Sequence, residues 1–315
     1  MRGWQFTTTH EPLRLVEQQD PTAEAGEVVI DVRAAGICHS DVSALEDPGW
    51  LAIITKRPVI MGHEISGVVS SVGQGVTGVF VGDRVGVCPS SGTRPGYSRD
   101  GGYADKTTAR AKDVVRIPDN VPFDAAAAGT DAGMTAYHAV MVAGRVESGM
   151  KVGIIGLGGL GQVAAQIAVL SGAQVYAADI SEPARELAAG IGVTDVAMDI
   201  GRFEALGLDV VLDFAGFGST TAAALGAVGR RGRVVQVGMG ALEATISTRT
   251  LISKRAELVG SMGGTVEDIE AVYGLLSAGQ LRMSIMATDF DSIPAGIDRL
   301  RRGEVTDRLV ASLSP

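Results

Sequence analysis

The chain has 315 residues, of which 46% are hydrophobic and 20% charged, and its 36 acidic and 27 basic side chains give a formal net charge of −9. Because no segment carries a run of Lys and Arg, the composition excludes nucleic acid as an expected partner. The N-terminus lacks the apolar core of a signal peptide, and no stretch of about 18 residues is continuously apolar, so we expect a cytoplasmic protein that does not span a membrane.

The first part of the chain, to about residue 120, is predicted to be rich in β-structure. Its apolar runs are short, contain many β-branched residues and are bounded by Gly, Pro or Asp. The clearest are EVVIDVRAAGI (27–37), EISGVVSSVG (64–73) and GDRVGV (82–87). No helical apolar period lies between them, so we expect a small irregular β-barrel.

From Lys151 onward, candidate strands and helices alternate. The helical signals include SEPARELAAGIG, where Ser181 is the expected N-cap and glycines end the helix. This alternation predicts a parallel sheet with helices on both faces. Six apolar runs are strand candidates: KVGII, QVYAADI, DVAMDI, DVVLDFAG, RVVQVG and ELVGS.

The last stretch of the chain is predicted to contain a helix over 266–278, a second helix in IPAGIDRLRRG and a strand in DRLVASL. That strand could return to the first domain. We therefore assign residues 1–132 and 265–315 to one domain and residues 133–264 to the other, since a chain of this length is expected to form two domains.

A glycine-rich turn, GLGGLG, follows the strand candidate KVGII and opens an apolar helix. Gly156, Gly158 and Gly161 have the spacing G-x-G-x-x-G. The first glycine allows a tight turn, the second lets a pyrophosphate approach the backbone, and the third lets helix and strand pack closely. The pattern predicts a dinucleotide whose diphosphate lies on the helix N-terminus. An ordinary strand-to-helix turn is the alternative.

Asp179 stands at the end of the next candidate strand, in VYAADIS. A carboxylate at this position can accept hydrogen bonds from both ribose hydroxyls and would repel a 2′-phosphate. The sequence therefore favours NAD over NADP. The alternative is a solvated aspartate at a strand end.

The run CHSD, residues 38–41, is conspicuous in a chain with two cysteines and four histidines. A disulfide between Cys38 and Cys88 is conceivable, but two cysteines do not make a disulfide framework, and we expect both to be reduced. The Cys38 thiolate and the His63 imidazole are zinc-type ligands, but a site needs a third. The alternatives are a buried apolar cysteine and a hydrogen-bonded core histidine.

Several segments of the chain, taken together and in order, resemble the zinc-dependent alcohol dehydrogenases of the medium-chain dehydrogenase/reductase (MDR) family. The resemblance covers nearly the whole chain. It implies a catalytic domain with a GroES-like irregular β-barrel and a Rossmann domain with a doubly wound parallel six-stranded sheet. The segments are AAGICHSD, MGHEISGVV, VGDRVGV, GGYADKT, VVRIPDNVPFDAAAAG, AGMTAYHA and GLGGLG.

The resemblance also implies one catalytic zinc ion held by Cys38, His63 and Asp131. In that family the third ligand is usually a cysteine just before the AGxTAY segment, and the match places Asp131 there. A thiolate, a neutral imidazole and a carboxylate neutralise Zn²⁺ and leave a fourth position open. Alternatively, Asp131 could be the N-cap of the following helix.

Residues next to the ligands receive roles from the same resemblance. Ser40 is expected to hydrogen-bond the alcohol and start the proton path. Asp41 is expected to orient His63, and Glu64 to lie behind the metal. Where some members carry a relay histidine, this chain has Ser43. Proton exit through the cofactor ribose and water is thus left open.

Three further residues are expected to contact the cofactor. His39 matches a basic position near the cofactor phosphates, Thr135 a position beside the nicotinamide, and Arg308 a C-terminal arginine that reaches the diphosphate. Alternatively, Thr135 is a helix-surface threonine and Arg308 a solvated arginine.

The chain departs from many relatives after the GDRV strand. Those relatives carry four closely spaced cysteines that hold a structural zinc, but here Cys88 stands alone. One cysteine cannot complete a tetrahedral site, so we expect a shortened loop and no structural zinc. Because that lobe often takes part in subunit contacts, the oligomeric state does not transfer. We expect a homodimer or a homotetramer.

The expected activity is hydride transfer between NAD(H) and an alcohol/ketone or aldehyde pair, with zinc as a Lewis acid. Trp50, Leu51 and the loop near Tyr97 could line the pocket, which favours an apolar secondary alcohol or ketone over a polyol. One rival is a zinc-free NAD(P)H-dependent enone or quinone reductase of the same superfamily, which lacks the Cys and GHE pair. Another is a non-catalytic NAD-binding protein.

Overall fold

The computed structural model describes residues 1–313 and divides into two compact units. The first unit comprises Met1–Asp131 and resumes at Thr265, and the second is Ala132–Gly264. The division falls one residue from the predicted domain boundary after residue 132. The last two residues of the predicted catalytic domain, 314 and 315, lie outside the described residues.

Sixteen strands and nine α-helices are found among the described residues. The strands are β1 (Arg2–Phe6), β2 (Arg14–Glu17), β3 (Glu27–Ile37), β4 (Val59–Ile60), β5 (Glu64–Val72), β6 (Arg84–Val87), β7 (Lys106–Arg110), β8 (Val114–Arg116), β9 (Lys151–Ile155), β10 (Gln174–Ala178), β11 (Asp195–Ala197), β12 (Leu208–Asp213), β13 (Val228–Gln236), β14 (Glu257–Gly260), β15 (Ile285–Asp289) and β16 (Arg308–Ser312). The α-helices are α1 (His39–Glu46), α2 (Phe123–Ala128), α3 (Met134–Tyr137), α4 (Gly161–Leu170), α5 (Glu182–Ala189), α6 (Ser219–Ala227), α7 (Thr248–Lys254), α8 (Val266–Ser277) and α9 (Ile293–Arg301).

Short 3-10 and π-helical turns supplement these elements. The 3-10 turns are Pro48–Ala52, Ala111–Asp113 and Ile200–Leu206, and the π-helical turns are Gly129–Gly133 and His138–Ala143.

The first unit is built on a seven-stranded sheet in which β15, β16, β3, β5, β6 and β8 are successive neighbours and β7 also pairs with β3. All its pairs are antiparallel except β15 with β16. A second sheet contains β2, β1 and β4. The side chains of Ile30, Ile37 and Ile65 are fully buried between these layers and their helices. This confirms the predicted irregular, GroES-like β-domain, and β16 returns to it by pairing with β3.

The second unit is a parallel sheet in the order β11-β10-β9-β12-β13-β14. The strand order reverses between β9 and β12, and in parallel sheets of this order right-handed crossovers put helices on both faces. Ser181 accepts a hydrogen bond from the amide of Ala184, as expected of the N-cap of α5. The predicted Rossmann architecture with six strands is confirmed.

No helix within residues 1–313 has both the length and the apolar character needed to cross a bilayer.

Candidate metal and cofactor sites

Four potential metal ligands converge in the first unit: Cys38, His63, Glu64 and Asp131. Their ligand atoms all lie within 4.8 Å of one another, and no other such group of three or more occurs within residues 1–313. The topology explains the convergence. Cys38 follows β3, His63 and Glu64 lie at the start of the neighbouring β5, and Asp131 lies in the π-helical turn Gly129–Gly133 that follows α2.

The separations among the three predicted ligands suit a tetrahedral zinc ion. Asp131 Oδ2 lies 3.7 Å from Cys38 Sγ and 3.6 Å from His63 Nε2. Zinc bonds of about 2.3 Å to sulfur and about 2.0–2.2 Å to nitrogen or oxygen give ligand separations of about 3.3–3.6 Å in a tetrahedron. Asp131 lies inside a helical turn and not at the N-cap of α3, which is Gly133. The donor set and its spacing therefore fit the metal that the sequence predicts.

Arg308 lies inside this cluster, where it pairs with two carboxylates. Its Nε donates to Glu64 Oε2 at 3.0 Å and its Nη2 donates to Asp131 Oδ2 at 3.0 Å; Nη2 also contacts Glu64 Oε1. Both Arg308 and Glu64 are buried. The guanidinium thus offsets part of the negative charge behind the ligands, and its expected contact with a cofactor diphosphate stays a prediction.

The electrostatic balance of the cluster favours a thiolate and a bound cation. Burial raises the pKa of the Cys38 thiol, but the Arg308 guanidinium and His63 lower it by more, so the net pKa lies below the usual value. Burial lowers the pKa of His63, but the carboxylates of Asp41 and Asp131 raise it well above its usual value. A site that holds a proton this strongly offers the same negative potential to a metal ion, which displaces the proton on binding.

Ser40 and Tyr97 form a hydrogen-bonded group with His63. The Tyr97 hydroxyl donates to Ser40 Oγ at 3.0 Å and lies 3.3 Å from His63 Nδ1, while Ser40 Oγ lies 3.5 Å from His63 Nε2. Burial raises the pKa of Tyr97, which keeps the phenol neutral. The sequence predicted Tyr97 only as a pocket residue; its contacts with Ser40 and His63 were not anticipated.

Asp41 supports the site through its carboxylate. Its Oδ2 accepts hydrogen bonds from the backbone amide of Cys38 at 2.9 Å and from the Tyr103 hydroxyl at 2.7 Å, and its Oδ1 lies 3.6 Å from His63 Nδ1. The first bond caps α1 and so fixes the backbone that carries Cys38. Tyr103 was missed as a site residue, although it lies in the motif GGYADKT.

His39 is exposed on α1, and Ser43 on the same helix donates its hydroxyl to the His39 carbonyl at 3.2 Å. The Trp50 ring lies 6.2 Å from the Tyr97 ring, measured between centroids. Cys88 is buried, and neither cysteine is in a disulfide.

The glycine-rich turn of the second unit has the conformation that the sequence predicts. Gly156 has φ of +85°, which favours glycine. A Cβ on Gly161 would lie 1.7 Å from the Gly156 carbonyl oxygen, whereas a Cβ on Gly158 would meet no heavy atom within 4 Å. The turn therefore needs its first and third glycines for its own geometry and leaves the second position open to a ligand.

Asp179 connects this turn to the next loop. Its Oδ2 accepts from the amide of Leu157 at 2.6 Å, and its Oδ1 accepts from the amide of Ser181 at 2.7 Å. The carboxylate is thus fixed beside the glycine-rich turn, at the end of β10. Thr135, also in the second unit, is buried in α3 and is not the surface residue of the alternative interpretation.

Comparisons with known proteins agree with this architecture. Residues 24–119 match the family model for the alcohol dehydrogenase GroES-like domain, and residues 159–278 match that for zinc-binding dehydrogenases. An alcohol dehydrogenase of Geobacillus stearothermophilus is 32% identical over 325 residues, which cover 95% of this chain and 96% of that protein.

Two solved structures are similar over nearly their full length. The alcohol dehydrogenase of Aeropyrum pernix has a TM-score of 0.91 and 29% identity, covering 99% of this chain and 100% of that one. The acetophenone reductase of Geotrichum candidum, solved with NAD, has a TM-score of 0.89 and 28% identity, covering 99% and 97%. The chain therefore belongs to the zinc-dependent alcohol dehydrogenases of the MDR family, and it is an NAD-linked alcohol oxidoreductase.

Proposed function

We propose that this enzyme interconverts apolar secondary alcohols and ketones, with Cys38, His63 and Asp131 as the zinc ligands. The observation that carries the assignment of the site is the convergence of these three ligand atoms within 4.8 Å, beside the Ser40 hydroxyl. When bound, zinc supplies a Lewis acid that polarises the substrate oxygen, and NAD supplies the hydride acceptor.

The side chains around the ligands have distinct tasks in the proposed reaction. Ser40 hydrogen-bonds the substrate oxygen and begins the path by which the hydroxyl proton leaves during oxidation. Asp41 holds the backbone of Cys38 and faces His63. Glu64 lies behind the ligands and, through its ion pair with Arg308, limits the net charge of the cluster.

The second unit supplies the proposed cofactor site. Gly156, Gly158 and Gly161 shape the turn that receives the diphosphate at the N-terminus of α4. Asp179 accepts hydrogen bonds from the adenosine ribose and repels a 2′-phosphate. We further propose that Thr135 contacts the nicotinamide.

His39 and Arg308 are proposed to approach the cofactor phosphates, as their positions in the family motifs imply. The exposure of His39 is compatible with that role. For Arg308 the diphosphate would be an additional contact, because its guanidinium already pairs with Glu64 and Asp131.

An apolar substrate is favoured by the aromatic surroundings of Ser40. The centroid of the Tyr97 ring, whose hydroxyl bonds to Ser40, lies 6.2 Å from that of the Trp50 ring and 5.4 Å from that of the His63 ring. Such rings contact hydrocarbon and offer few partners to the several hydroxyls of a polyol. The name of the similar acetophenone reductase points to the same substrate class.

The cluster of Cys38, His63 and Asp131 argues against a zinc-free enone or quinone reductase.

The test is a screen of secondary alcohols, primary alcohols and polyols with zinc-loaded protein, followed by NADH absorbance and repeated with NADP. We expect turnover of apolar secondary alcohols, a preference for NAD, one zinc ion per chain, and loss of activity on chelation that added zinc reverses. Tight NAD binding without turnover of any alcohol or ketone would favour a non-catalytic NAD-binding protein. Enone reduction that survives chelation would favour the zinc-free reductase.

We also propose that the enzyme is a cytoplasmic homodimer. A reducing compartment keeps the Cys38 thiol available to the metal. The edge strand β14 supports dimer formation, because three of its four residues are exposed, Leu258 among them, and Met262, two residues after the strand, also faces solvent. An unpaired apolar edge of this kind is suited to pairing with a second copy. A homotetramer would require a further interface.

A further inference from the structure

The Tyr97 hydroxyl occupies a position between two residues of the proposed reaction. It lies 3.0 Å from Ser40 Oγ and 3.3 Å from His63 Nδ1. The side chain is 8% exposed, and its loop is held by hydrogen bonds from the amide of Tyr97 to the Arg94 carbonyl and from the amide of Lys56 to the Tyr97 carbonyl. The hydroxyl is therefore presented by a packed segment.

The direction of the hydrogen bonds follows from the protons available. A phenol has one proton, and Tyr97 donates it to Ser40. The contact between Tyr97 and His63 then requires the proton on Nδ1, which donates to the phenol oxygen. In a neutral imidazole this leaves Nε2 without a proton, and Nε2 is the atom that faces Asp131 at 3.6 Å. Together with the Asp41 carboxylate, whose Oδ1 lies 3.6 Å from Nδ1, Tyr97 thus favours the histidine tautomer that can ligate a metal.

The same arrangement directs the proton of Ser40. Because Ser40 Oγ accepts from Tyr97, its own proton must point to another acceptor. His63 Nε2, 3.5 Å away, cannot accept once it is a ligand, so the substrate oxygen becomes the partner. Successive bonds from His63 through Tyr97 to Ser40 also polarise one another.

The other hydroxyl side chain of α1 makes a different contact. Ser43, at the position where some family members carry a relay histidine, donates its hydroxyl to the His39 carbonyl at 3.2 Å. The Ser43 hydroxyl therefore donates its proton to the backbone of α1 and not to Ser40.

We propose that Tyr97 is a positioning residue of the alcohol–ketone reaction: its hydroxyl orients the proton of Ser40 toward the substrate oxygen and fixes the tautomer of His63. This inference rests on the proposed function. It concerns the proton path alone and leaves the hydride step unchanged.

The test begins with Tyr97→Phe, which keeps the ring and removes the hydroxyl. In zinc-saturated enzyme we expect kcat for alcohol oxidation to fall about tenfold, the factor that corresponds to about 1.4 kcal/mol. The KM for NAD should not change. Trifluoroethanol, an alcohol that is not oxidised, should bind several-fold more weakly in calorimetry of the NAD complex. Tyr273→Phe is the matched control, because it removes the hydroxyl of another buried tyrosine, which donates to the Ala126 carbonyl; it should leave all three quantities unchanged.

A double-mutant cycle with Ser40→Ala separates positioning from a merely structural role. If Tyr97 acts through Ser40, Tyr97→Phe should change kcat and trifluoroethanol affinity by less than about twofold in the Ser40→Ala background. Equal effects in both backgrounds would overturn the inference, as would full recovery of kcat in Tyr97→Phe by excess zinc. Wild-type enzyme that turns over no alcohol would instead overturn the proposed function, and with it this inference.

Discussion

Asp131 is the proposed ligand at which this chain differs from relatives that use a second cysteine. Its Oδ2 faces both Cys38 and His63 and also accepts a hydrogen bond from Arg308. A carboxylate can do both because each oxygen has two lone pairs, whereas a thiolate would be a poorer acceptor for the guanidinium. The replacement thus couples the metal site to the ion pair of Arg308 and Glu64.

Replacing Asp131 by Asn should weaken zinc binding more than about 100-fold, beyond what is lost when only a hydrogen-bond partner of a ligand is removed. The substitution deletes one of the two negative charges that offset Zn²⁺. Asp131→Cys restores the charge and should retain zinc. Competition with a chromophoric chelator measures both affinities.

The matched control for this change is Asp124→Asn on the preceding helix, since Asp124 bonds to the amide of Ala125 and lies outside the cluster. It should leave zinc affinity at the wild-type value. If Asp131→Asn bound zinc as tightly as this control, another group would have to be the third ligand.

At the scale of elements, two glycines of the glycine-rich turn have different roles, one in the fold and one in the proposed binding of the cofactor. Gly161 packs against the carbonyl of Gly156, whereas Gly158 faces open space. One position is thus required by the contact of α4 with its own turn, and the other leaves the space in which the diphosphate is proposed to lie.

Alanine substitutions at these two positions should therefore affect different properties: the stability of the fold at Gly161 and the affinity for NAD at Gly158. Gly161→Ala should lower the free energy of unfolding by about 1–3 kcal/mol or more, because its Cβ overlaps a backbone oxygen. Gly158→Ala should keep the wild-type Tm without cofactor but bind NAD at least about tenfold more weakly, since the methyl group occupies the path of the diphosphate. Thermal unfolding without cofactor and NAD titration measure the two effects. A cofactor-free Tm that fell equally in both variants would contradict this division.

Prediction from the sequence was most direct for strands that are buried along most of their length. The inner strand β9 of the second unit is buried over most of its length and so is a continuous apolar run; KVGII was predicted and is observed as Lys151–Ile155. The small sheet of β1, β2 and β4 was not predicted. β2 is mostly exposed and β4 has two residues, so neither shows an apolar period.

The side-chain contacts of the candidate site could also be predicted only in part from the sequence. Cys38 and His63 could be chosen from their chemistry alone, whereas Asp131 needed the family resemblance. The bonds of Tyr97 and Tyr103 depend on the path of an irregular loop after β6, and the position of Arg308 on the pairing of β16 with β3. No local periodicity encodes such long-range contacts, although the residues themselves stood in or near the motifs.

At the scale of the whole molecule, β14 forms an exposed edge of the parallel sheet. The free edge of a parallel sheet exposes unpaired backbone groups, and here Leu258 is 40% exposed on the strand, while Met262, two residues after it, is 73% exposed. Pairing with the same strand of a second copy would satisfy the backbone groups and bury these side chains.

We therefore expect light scattering after gel filtration to give a mass of two 32.4-kDa chains, and Leu258→Arg to shift it toward one, because two guanidinium groups would meet across the symmetric contact. Leu170→Arg is the matched control, since Leu170 is similarly exposed, at 45%, on α4 of the same unit. It should leave the mass unchanged. A wild-type mass of one chain would exclude the dimer, and a dimer that survives Leu258→Arg would move the interface away from β14. A mass of four chains that falls to two in Leu258→Arg would assign β14 to one of two interfaces in a tetramer.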